Sequence, residues 1–216
     1  MIGADDLWTA GITGRGVDVA LVDTGVAPVQ DLAGPGKVVN GPDLSFESQS
    51  PDLRYLDTNG HGTHMGGVIA GQDDGEFTGI APDARLVSVK VGAASGATDI
   101  SQVIAAIDWV VQHRNDDGLN IRVLNLSFGT DGAQDYLLDP LTYAVDVAWR
   151  KGIVVVVGAG NRGPGATRRP PPAPRTTWWP ASPAAAAPSA GPTWSPPAAR
   201  SSACATPGPT SAWSTP

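Results

Sequence analysis

The sequence predicts an α/β fold in three layers, with a doubly wound and mostly parallel sheet between two layers of helices. Short runs rich in β-branched residues alternate along the chain with stretches whose apolar residues recur at helical spacing. The short runs are almost continuously apolar, which is typical of strands buried on both faces of a parallel sheet. Both patterns stop near residue 166, so we predict one domain over residues 1–166 and a separate tail over 167–216.

Each element follows from its local pattern. Apolar residues recur every three to four positions between 100 and 113, and Gly152 is placed to end a second periodic stretch. A third segment, residues 59–71, is predicted to be helical although it contains three glycines, which indicates close packing against another backbone. In chain order the predicted strands are VDVALV (17–22), ARLVSVKV (84–91), IRVLNLSFG (121–129) and IVVVVGAG (153–160), and the helices are 59–71, 100–113 and 140–152 after an N-terminal helical turn.

Polar side chains follow three of the predicted strands. Asp23, Ser127 and Asn161 each come at or just beyond a strand end. The carboxyl ends of parallel strands meet at one edge of a sheet, and ligands bind there in open α/β folds. We therefore expect these three residues to share one edge.

The composition excludes several classes of protein. The net charge is −7, but residues 1–166 hold all 21 acidic residues and only 10 of the 14 basic ones, which argues against nucleic acid as a partner. Cys204 is the single cysteine, so no internal disulfide is expected. No apolar run is long enough to cross a membrane, and the first residues do not resemble a secretory leader.

The tail has a different chemistry. Residues 167–216 contain 13 prolines and four tryptophans but no Leu, Ile, Val or acidic residue, so they cannot supply an aliphatic core. One interpretation is a disordered or polyproline-like linker. The interpretation we prefer is an out-of-frame continuation of a GC-rich gene, since every residue type in the tail has GC-rich codons. Resequencing that finds no frame error would exclude it.

Two motifs carry most of the chemical signal. Asp23 lies in ALVDTGV, where a carboxylate at a strand end can be catalytic or can simply cap a turn. NGHGTHMGGVIAG places His61 near a helix start, where we expect it to be exposed, and His64 three residues on, where we expect it to face inward. A metal site on the two histidines is an alternative, but a zincin helix needs His-Glu-x-x-His.

Two further segments could form a binding surface. NLSFG ends a strand with Ser127, Phe128 and Gly129, whose backbone could pair with an extended peptide. GAGNRG offers small residues for a pocket wall and the amide of Asn161 as a donor. Plain sheet edge and turn residues are the competing interpretations.

Taken together, Asp-Thr-Gly, His-Gly-Thr-His, Ser-Phe-Gly and Gly-Asn in this order resemble the subtilisin-like serine peptidases of the S8 family. The resemblance covers about residues 3–166. It implies that Asp23 orients His61, that His61 is the general base, and that Asn161 donates to the oxyanion. It implies a substrate edge at Ser127, Phe128 and Gly129. Pocket walls would be formed by Gly158 and Gly160 and, opposite them, by residues 92–96 with Gly96.

The third member of the triad is missing from this pattern. The family places its nucleophile in Gly-Thr-Ser-Met-Ala-x-Pro, and no such string occurs. Ser211 lies in GPTSAWSTP, where Pro209 interrupts the pattern, so we do not assign it. The later strands and the helix of the fold are also missing, so we expect an incomplete sheet on the C-terminal side, little or no activity, and an aggregation-prone or molten chain without a sharp thermal transition.

Three functions therefore remain open: a serine endopeptidase by descent, a peptide-binding pseudoenzyme that uses residues 127–129, and a metal-dependent hydrolase built on His61 and His64. The resemblance implies polypeptide substrates, an extracellular location and, we expect, a monomer. We assign no cofactor and no metal, because no calcium loop of the family matches residue by residue.

Overall fold

The computed structural model of the chain describes residues 2–73, 77–129, 135 and 137–158. All of these belong to the first of its two compact units, Met1–Thr176. Residues 159–216 lie outside the described residues, and with them the second unit, the whole tail predicted over 167–216, Gly160, Asn161 and Ser211.

Within the described residues, five strands form one parallel sheet in the order β2-β3-β1-β4-β5. The central strand β1 pairs with β3 on one side and with β4 on the other. The chain first builds the β3–β2 side and then crosses to β4 and β5, so the direction of winding reverses beside β1. The strands are β1 (Asp18–Asp23), β2 (Val38–Asp43), β3 (Arg85–Lys90), β4 (Ile121–Leu126) and β5 (Val154–Val157).

The helices of the described residues are α1 (Ala4–Thr9), α2 (His61–Ala70), α3 (Ile100–His113) and α4 (Pro140–Arg150). Both long helices begin where their sequences satisfy the first free backbone N–H groups. Asp99 accepts from the N–H of Ser101 at 2.8 Å, and Gln102 closes a capping box with the Asp99 backbone. Asp139 accepts from Leu141, with Pro140 at the first helical position. No helix of the described ranges has the length and apolarity to cross a membrane.

The sheet lies between two layers of helices, which confirms the predicted α/β class. Successive side chains of β1 point to opposite faces: Ala20 and Val22 join the core under α3 and α4, and Val19 and Leu21 join the core that Ala70 of α2 helps to close. All six residues of β1 are buried, as the continuous apolar run predicted. Each buried valine, leucine or isoleucine contributes about 1.5–3 kcal/mol to folding.

The sequence-based prediction missed one strand and overextended two. β2 has the sequence VVNGPD, in which Gly41 and Pro42 break the apolar run and favour a turn. It lies at the edge of the sheet, where proline is tolerated, and its pairing with β3 is irregular between Asn40 and Asp43. β4 ends at Leu126 and β5 ends at Val157, short of the predicted ends at 129 and 160.

Within the described residues, one face of β5 is uncovered. Val155 and Val157 pack against the core beneath α3 and α4. Val154 and Val156 alternate with them and therefore lie on the other face, where each is 50% exposed. Exposed valines on a strand at the edge of the described sheet are a candidate site of association with other molecules.

Candidate active site

The site begins with a buried carboxylate at the carboxyl end of the central strand. The side chain of Asp23 is 1% exposed. Its Oδ1 accepts a hydrogen bond from the backbone N–H of Thr24 at 2.8 Å. Its Oδ2 is buried and accepts none from the part of the chain that the structure describes. The interactions of this carboxylate are therefore concentrated on Oδ1.

The second interaction on Oδ1 comes from His61. The Nδ1 of His61 lies 2.7 Å from Asp23 Oδ1, and the His61 side chain is 48% exposed. Because a carboxylate accepts hydrogen bonds, we place the proton of the neutral imidazole on Nδ1, which leaves Nε2 free to accept one. The structure thus brings together the two residues that the sequence analysis singled out, with one nitrogen of the imidazole held and the other available.

The position of His61 follows from the start of α2. It is the first residue of the helix, directly after Gly60, whose φ of +96° is a conformation that glycine adopts without strain. Its backbone N–H donates to Asn59 Oδ1 at 3.3 Å. The helix therefore begins at the residue whose side chain must reach the end of β1.

Gly62 allows α2 to approach β1 this closely. A Cβ atom at this position would lie 2.1 Å from the carbonyl oxygen of Gly25 and 3.2 Å from Asp23 Oδ1. The prediction that glycines in this helix mark close backbone contact is correct for Gly62. At Gly66 the close neighbours are the side chains of Leu86 and Leu32, and at Gly67 a Cβ would meet nothing within 4 Å.

A second carboxylate, that of Asp57, accepts hydrogen bonds from the segments that carry Asp23 and His61. Asp57 Oδ1 accepts from Thr24 Oγ1 and from the N–H groups of Asn59 and Gly60, and its Oδ2 accepts from the N–H and hydroxyl of Thr63. Burial works to raise the pKa of Asp57, but these hydrogen bonds, led by those from Thr63, outweigh it and the pKa lies below its usual value. The carboxylate is therefore held ionised.

The loop over residues 92–96 is tied to the same helix start. Asn59 Nδ2 donates to the carbonyl of Ala94 at 2.9 Å, and Ala94 N–H donates to Glu47 Oε1 at 2.9 Å. Gly96 lies beside this contact, since its ideal Cβ would be 3.5 Å from Asn59 Nδ2. The side chain of Asn59 therefore links the 92–96 loop, one proposed wall of the substrate pocket, to the backbone of His61.

A buried lysine anchors the surrounding loops. Lys90 ends β3 with a side chain that is 1% exposed, and its Nζ donates to Glu47 Oε2 at 2.6 Å and to the carbonyls of Leu53 and Leu56. Chiefly because of the hydrogen bond from Lys90, the pKa of Glu47 lies below its usual value. The sequence analysis missed both residues, although a lysine inside the buried run VSVKV was a visible signal.

The structure describes some of the remaining predicted site residues and not others. Ser127, Phe128 and Gly129 follow β4, the strand next to β1, with Phe128 packed against the core and Gly129 exposed. Gly158 follows β5 and donates its N–H to Leu126 at 3.1 Å. These residues lie at the same sheet edge as Asp23. Gly160 and Asn161 are outside the described residues, so their roles stay predictions.

His64 differs from the prediction. It was expected to face inward, but it is exposed, because position 64 falls on the side of α2 away from the buried Gly62, Gly66 and Ala70. In the described ranges no group of three or more His, Cys, Asp or Glu residues could hold a metal ion. His61 makes its close contact with Asp23, and His64 lies on the solvent side.

Comparison with known proteins identifies the family of the chain. The profile of the subtilase family, peptidase S8, matches residues 14–194. The chain is 38% identical over 159 residues to the serine protease AprX of Bacillus subtilis (strain 168), covering 71% of this chain and 35% of that protein. It is 32% identical over 173 residues to the major intracellular serine protease of the same organism, covering 78% and 50%.

A solved structure shows the same fold. The crystal structure of a cold adapted subtilisin-like serine proteinase superposes with a TM-score of 0.56 at 33% sequence identity, covering 69% of this chain and 48% of that one. The chain thus spans between about a third and a half of the length of these similar proteins. Profile, sequence identity and superposition give one result: the chain belongs to the subtilase family of subtilisin-like serine peptidases.

Proposed function

We propose that this chain carries the acid–base half of a serine endopeptidase. The observation that supports it most is the 2.7 Å contact between His61 Nδ1 and Asp23 Oδ1, with the carboxylate buried and the imidazole half-exposed. Family membership supports the same reaction, since AprX and the intracellular protease are named serine proteases. Polypeptides are the substrates that this proposal implies.

The chemistry follows from the tautomer. With its proton on Nδ1, neutral His61 accepts a proton at Nε2 from an attacking hydroxyl and afterwards returns it to the leaving amine. The Asp23 carboxylate stabilises the imidazolium that forms between the two steps. General base catalysis of this kind contributes about 10²–10⁴-fold. Asn161, which follows β5 in the sequence, is the proposed donor to the oxyanion.

Substrate binding is proposed at the sheet edge. Residues 127–129 run on from β4 beside β1 and would pair with an extended peptide, while Gly158 and the 92–96 loop would form the two sides of the first pocket. Hydrogen bonds from Asn59 and to Glu47 fix the position of Ala94 in this loop, as a pocket wall of constant shape requires. We include Gly160 in the same pocket wall as Gly158, because it follows Gly158 by two residues in the sequence.

The proposal assigns no nucleophile. The 216 residues contain no Gly-Thr-Ser-Met-Ala string, and we do not assign Ser211. A base without a hydroxyl to activate has no nucleophile to deprotonate, and in subtilisin removal of the nucleophile costs about 10⁶ in kcat. We therefore propose that these 216 residues by themselves hydrolyse peptides very slowly or not at all.

The experiment combines a fluorogenic peptide assay with a serine-directed phosphonate probe, applied to the chain and to His61→Ala. We expect no labelled serine and no hydrolysis above that of His61→Ala. A labelled serine, located by mass mapping, would overturn the proposed inactivity and identify the nucleophile. Hydrolysis that resists the phosphonate and stops with a chelator would instead support the metal-dependent alternative on His61 and His64.

A peptide-binding pseudoenzyme is the second candidate. It is favoured by the exposed backbone at Gly129, next to a strand end at the site edge. Anisotropy of labelled extended peptides tests it: saturable binding without cleavage, weakened by Gly129→Pro, would support this candidate. Absence of binding would remove it. The extracellular location and the monomeric state stay predictions, and one similar protein is intracellular by name.

A further inference from the structure

Asp57 connects the two segments that carry the proposed acid–base pair. It lies in the loop before α2 and accepts five hydrogen bonds at 2.6–3.0 Å. One comes from Thr24, the residue after Asp23. Two come from Thr63, two residues beyond His61. A single carboxylate thus binds both the turn that holds Asp23 and the helical turn that holds His61.

The two threonines close this arrangement into a ring. Thr24 Oγ1 donates to Asp57 at 2.8 Å and accepts from the N–H of Gly62 at 2.9 Å. Thr63 Oγ1 donates to Asp57 at 2.6 Å and accepts from the N–H of Ala27 at 2.9 Å. The Thr24 hydroxyl therefore links Asp57 to α2 through Gly62, and the Thr63 hydroxyl links Asp57 to the segment after β1 through Ala27. The two links fix the start of α2 against the end of β1.

The ring replaces a conventional helix cap. The residue before α2 is Gly60, which has no side chain, so the first N–H groups of the helix need other acceptors. Asp57 accepts from the N–H of Thr63, and Thr24 accepts from that of Gly62. A negative charge at this end of a helix is also favoured by the helix dipole.

We propose that Asp57 is a positioning residue for His61. It fixes the start of α2 against the end of β1, so that Nδ1 stays on Asp23 Oδ1 and Nε2 stays free. This inference rests on the proposed function, in which His61 is the base. Asp57 accepts hydrogen bonds through both oxygens from groups other than His61, so it acts through the helix start and not by contact with the reacting atoms.

The test uses ¹⁵N NMR of the histidine ring nitrogens, which reports the tautomer of His61 without needing a nucleophile. The variant is Asp57→Asn. Both Asp57 oxygens face backbone N–H groups, from Gly60 on one side and Thr63 on the other, so an amide NH₂ meets a donor in either orientation. We expect the His61 signals to move from a single Nδ1–H tautomer to the mixture shown by a free imidazole.

Asp18→Asn is the matched control. Asp18 is a buried carboxylate at the opposite end of β1, and it accepts from Arg85 at 2.6 and 2.7 Å and from the Asn120 N–H at 2.6 Å. It should lower stability by a similar mechanism and leave the His61 tautomer unchanged. A shift in both variants would assign the effect to stability alone and overturn the inference.

A milder pair of variants covers the case in which Asp57→Asn does not fold. Thr24→Val removes one of the five donors to Asp57, together with the acceptor of the Gly62 N–H, and keeps the charge of Asp57, while Thr24→Ser restores the hydroxyl. The valine variant should lose the single tautomer and the serine variant should keep it. As its control, Thr13→Val removes a comparable bond, to Asp83 at 2.6 Å, away from the site.

The outcomes separate this inference from the proposed function. If the unmodified chain lacks the Nδ1–H tautomer, the Asp23–His61 pair and the proposed function both fail. If the unmodified chain has it and both Asp57→Asn and Thr24→Val keep it, the positioning role fails and the proposed function stands.

Discussion

Gly62 packs so closely against Gly25 that a Cβ atom added to Gly62 would be 2.1 Å from the carbonyl oxygen of Gly25. No side chain fits there without moving the helix or the loop. The distance between α2 and the turn after β1 is therefore set by a residue with no side chain, and the contact between His61 and Asp23 depends on it.

Gly62→Ala should disrupt the site. Because both faces of the sheet carry a buried core, we expect the described domain to unfold cooperatively in urea, unlike the molten chain expected from the missing strands. The methyl group of Gly62→Ala forces α2 away from the turn, so we expect the single Nδ1–H tautomer of His61 to be lost and the urea midpoint to fall by an amount corresponding to about 1–3 kcal/mol. Gly67→Ala, in the same helix, is the control. A Cβ there meets nothing within 4 Å, and alanine should stabilise the helix by about 0.5–1 kcal/mol. Equal effects of the two substitutions would contradict this account.

Removing the charge of Glu47 should lower the free energy of unfolding more than removing the charge of Lys90. Glu47→Gln leaves a buried ammonium without its charge partner, and we expect a loss of about 3–5 kcal/mol. Lys90→Met should cost less, because Glu47 is more exposed and keeps its bonds from Thr58 and Ala94. Urea unfolding measures both.

The exposed pair Arg150–Asp146 is the control for that comparison. It has the same 2.6 Å separation as Lys90–Glu47, but the arginine side chain is 70% exposed. Asp146→Asn should therefore change the free energy of unfolding by no more than about 0.5 kcal/mol. If it costs as much as Glu47→Gln, burial is not what gives the Lys90 pair its importance.

Stability should fall as the pH is lowered through the acidic range. The pKa values of Asp57 and Glu47 are lower in the folded chain than in the unfolded chain, so the unfolded state binds protons first. Their contributions are complete above the unfolded pKa values, about 3.9 and 4.3, and are lost as the pH falls through the lower folded values. The urea midpoint between pH 6 and pH 3 measures this.

Asp57→Asn tests the assignment of that pH dependence. The variant should be less stable than the unmodified chain at pH 6 and should lose less stability on acidification, so the difference between the two narrows toward pH 3. Parallel curves for the two chains would show that Asp57 does not contribute to the acid sensitivity.

The open face of β5 should drive association. Val156→Lys places a charge on the half-exposed face and should reduce light scattering of the concentrated chain without lowering the urea midpoint. Val155→Lys, one residue earlier, places the charge at a partly buried position against the core and should lower the urea midpoint. Scattering that is unchanged by Val156→Lys would show that association uses another surface.

Much of the fold was visible in the sequence because burial is periodic. Continuous apolar runs identified β1, β3, β4 and β5, and the spacing of Val103, Ile107 and Val110 identified α3. β2 escaped because an edge strand needs no continuous apolar run and tolerates Gly41 and Pro42. His64 was misplaced because three glycines blur which side of α2 is apolar.

The candidate site was only half visible. Asp23 and His61 stand in short motifs, so their types and order signalled them. Asp57 and Glu47 are ordinary acidic residues in a polar loop, and what matters is which donors surround them after folding. That information depends on contacts over long sequence distances, such as the 43 residues between Glu47 and Lys90, which no local pattern contains.

The most direct test of the central claim is the tautomer of His61 in the unmodified chain and in Asp23→Ala, measured by ¹⁵N NMR with the imidazole in its neutral form. The account predicts one tautomer, with the proton on Nδ1 and Nε2 unprotonated, and its loss when the Asp23 carboxylate is removed. A His61 that shows the free-imidazole mixture in the unmodified chain, or that does not respond to Asp23→Ala, would contradict it.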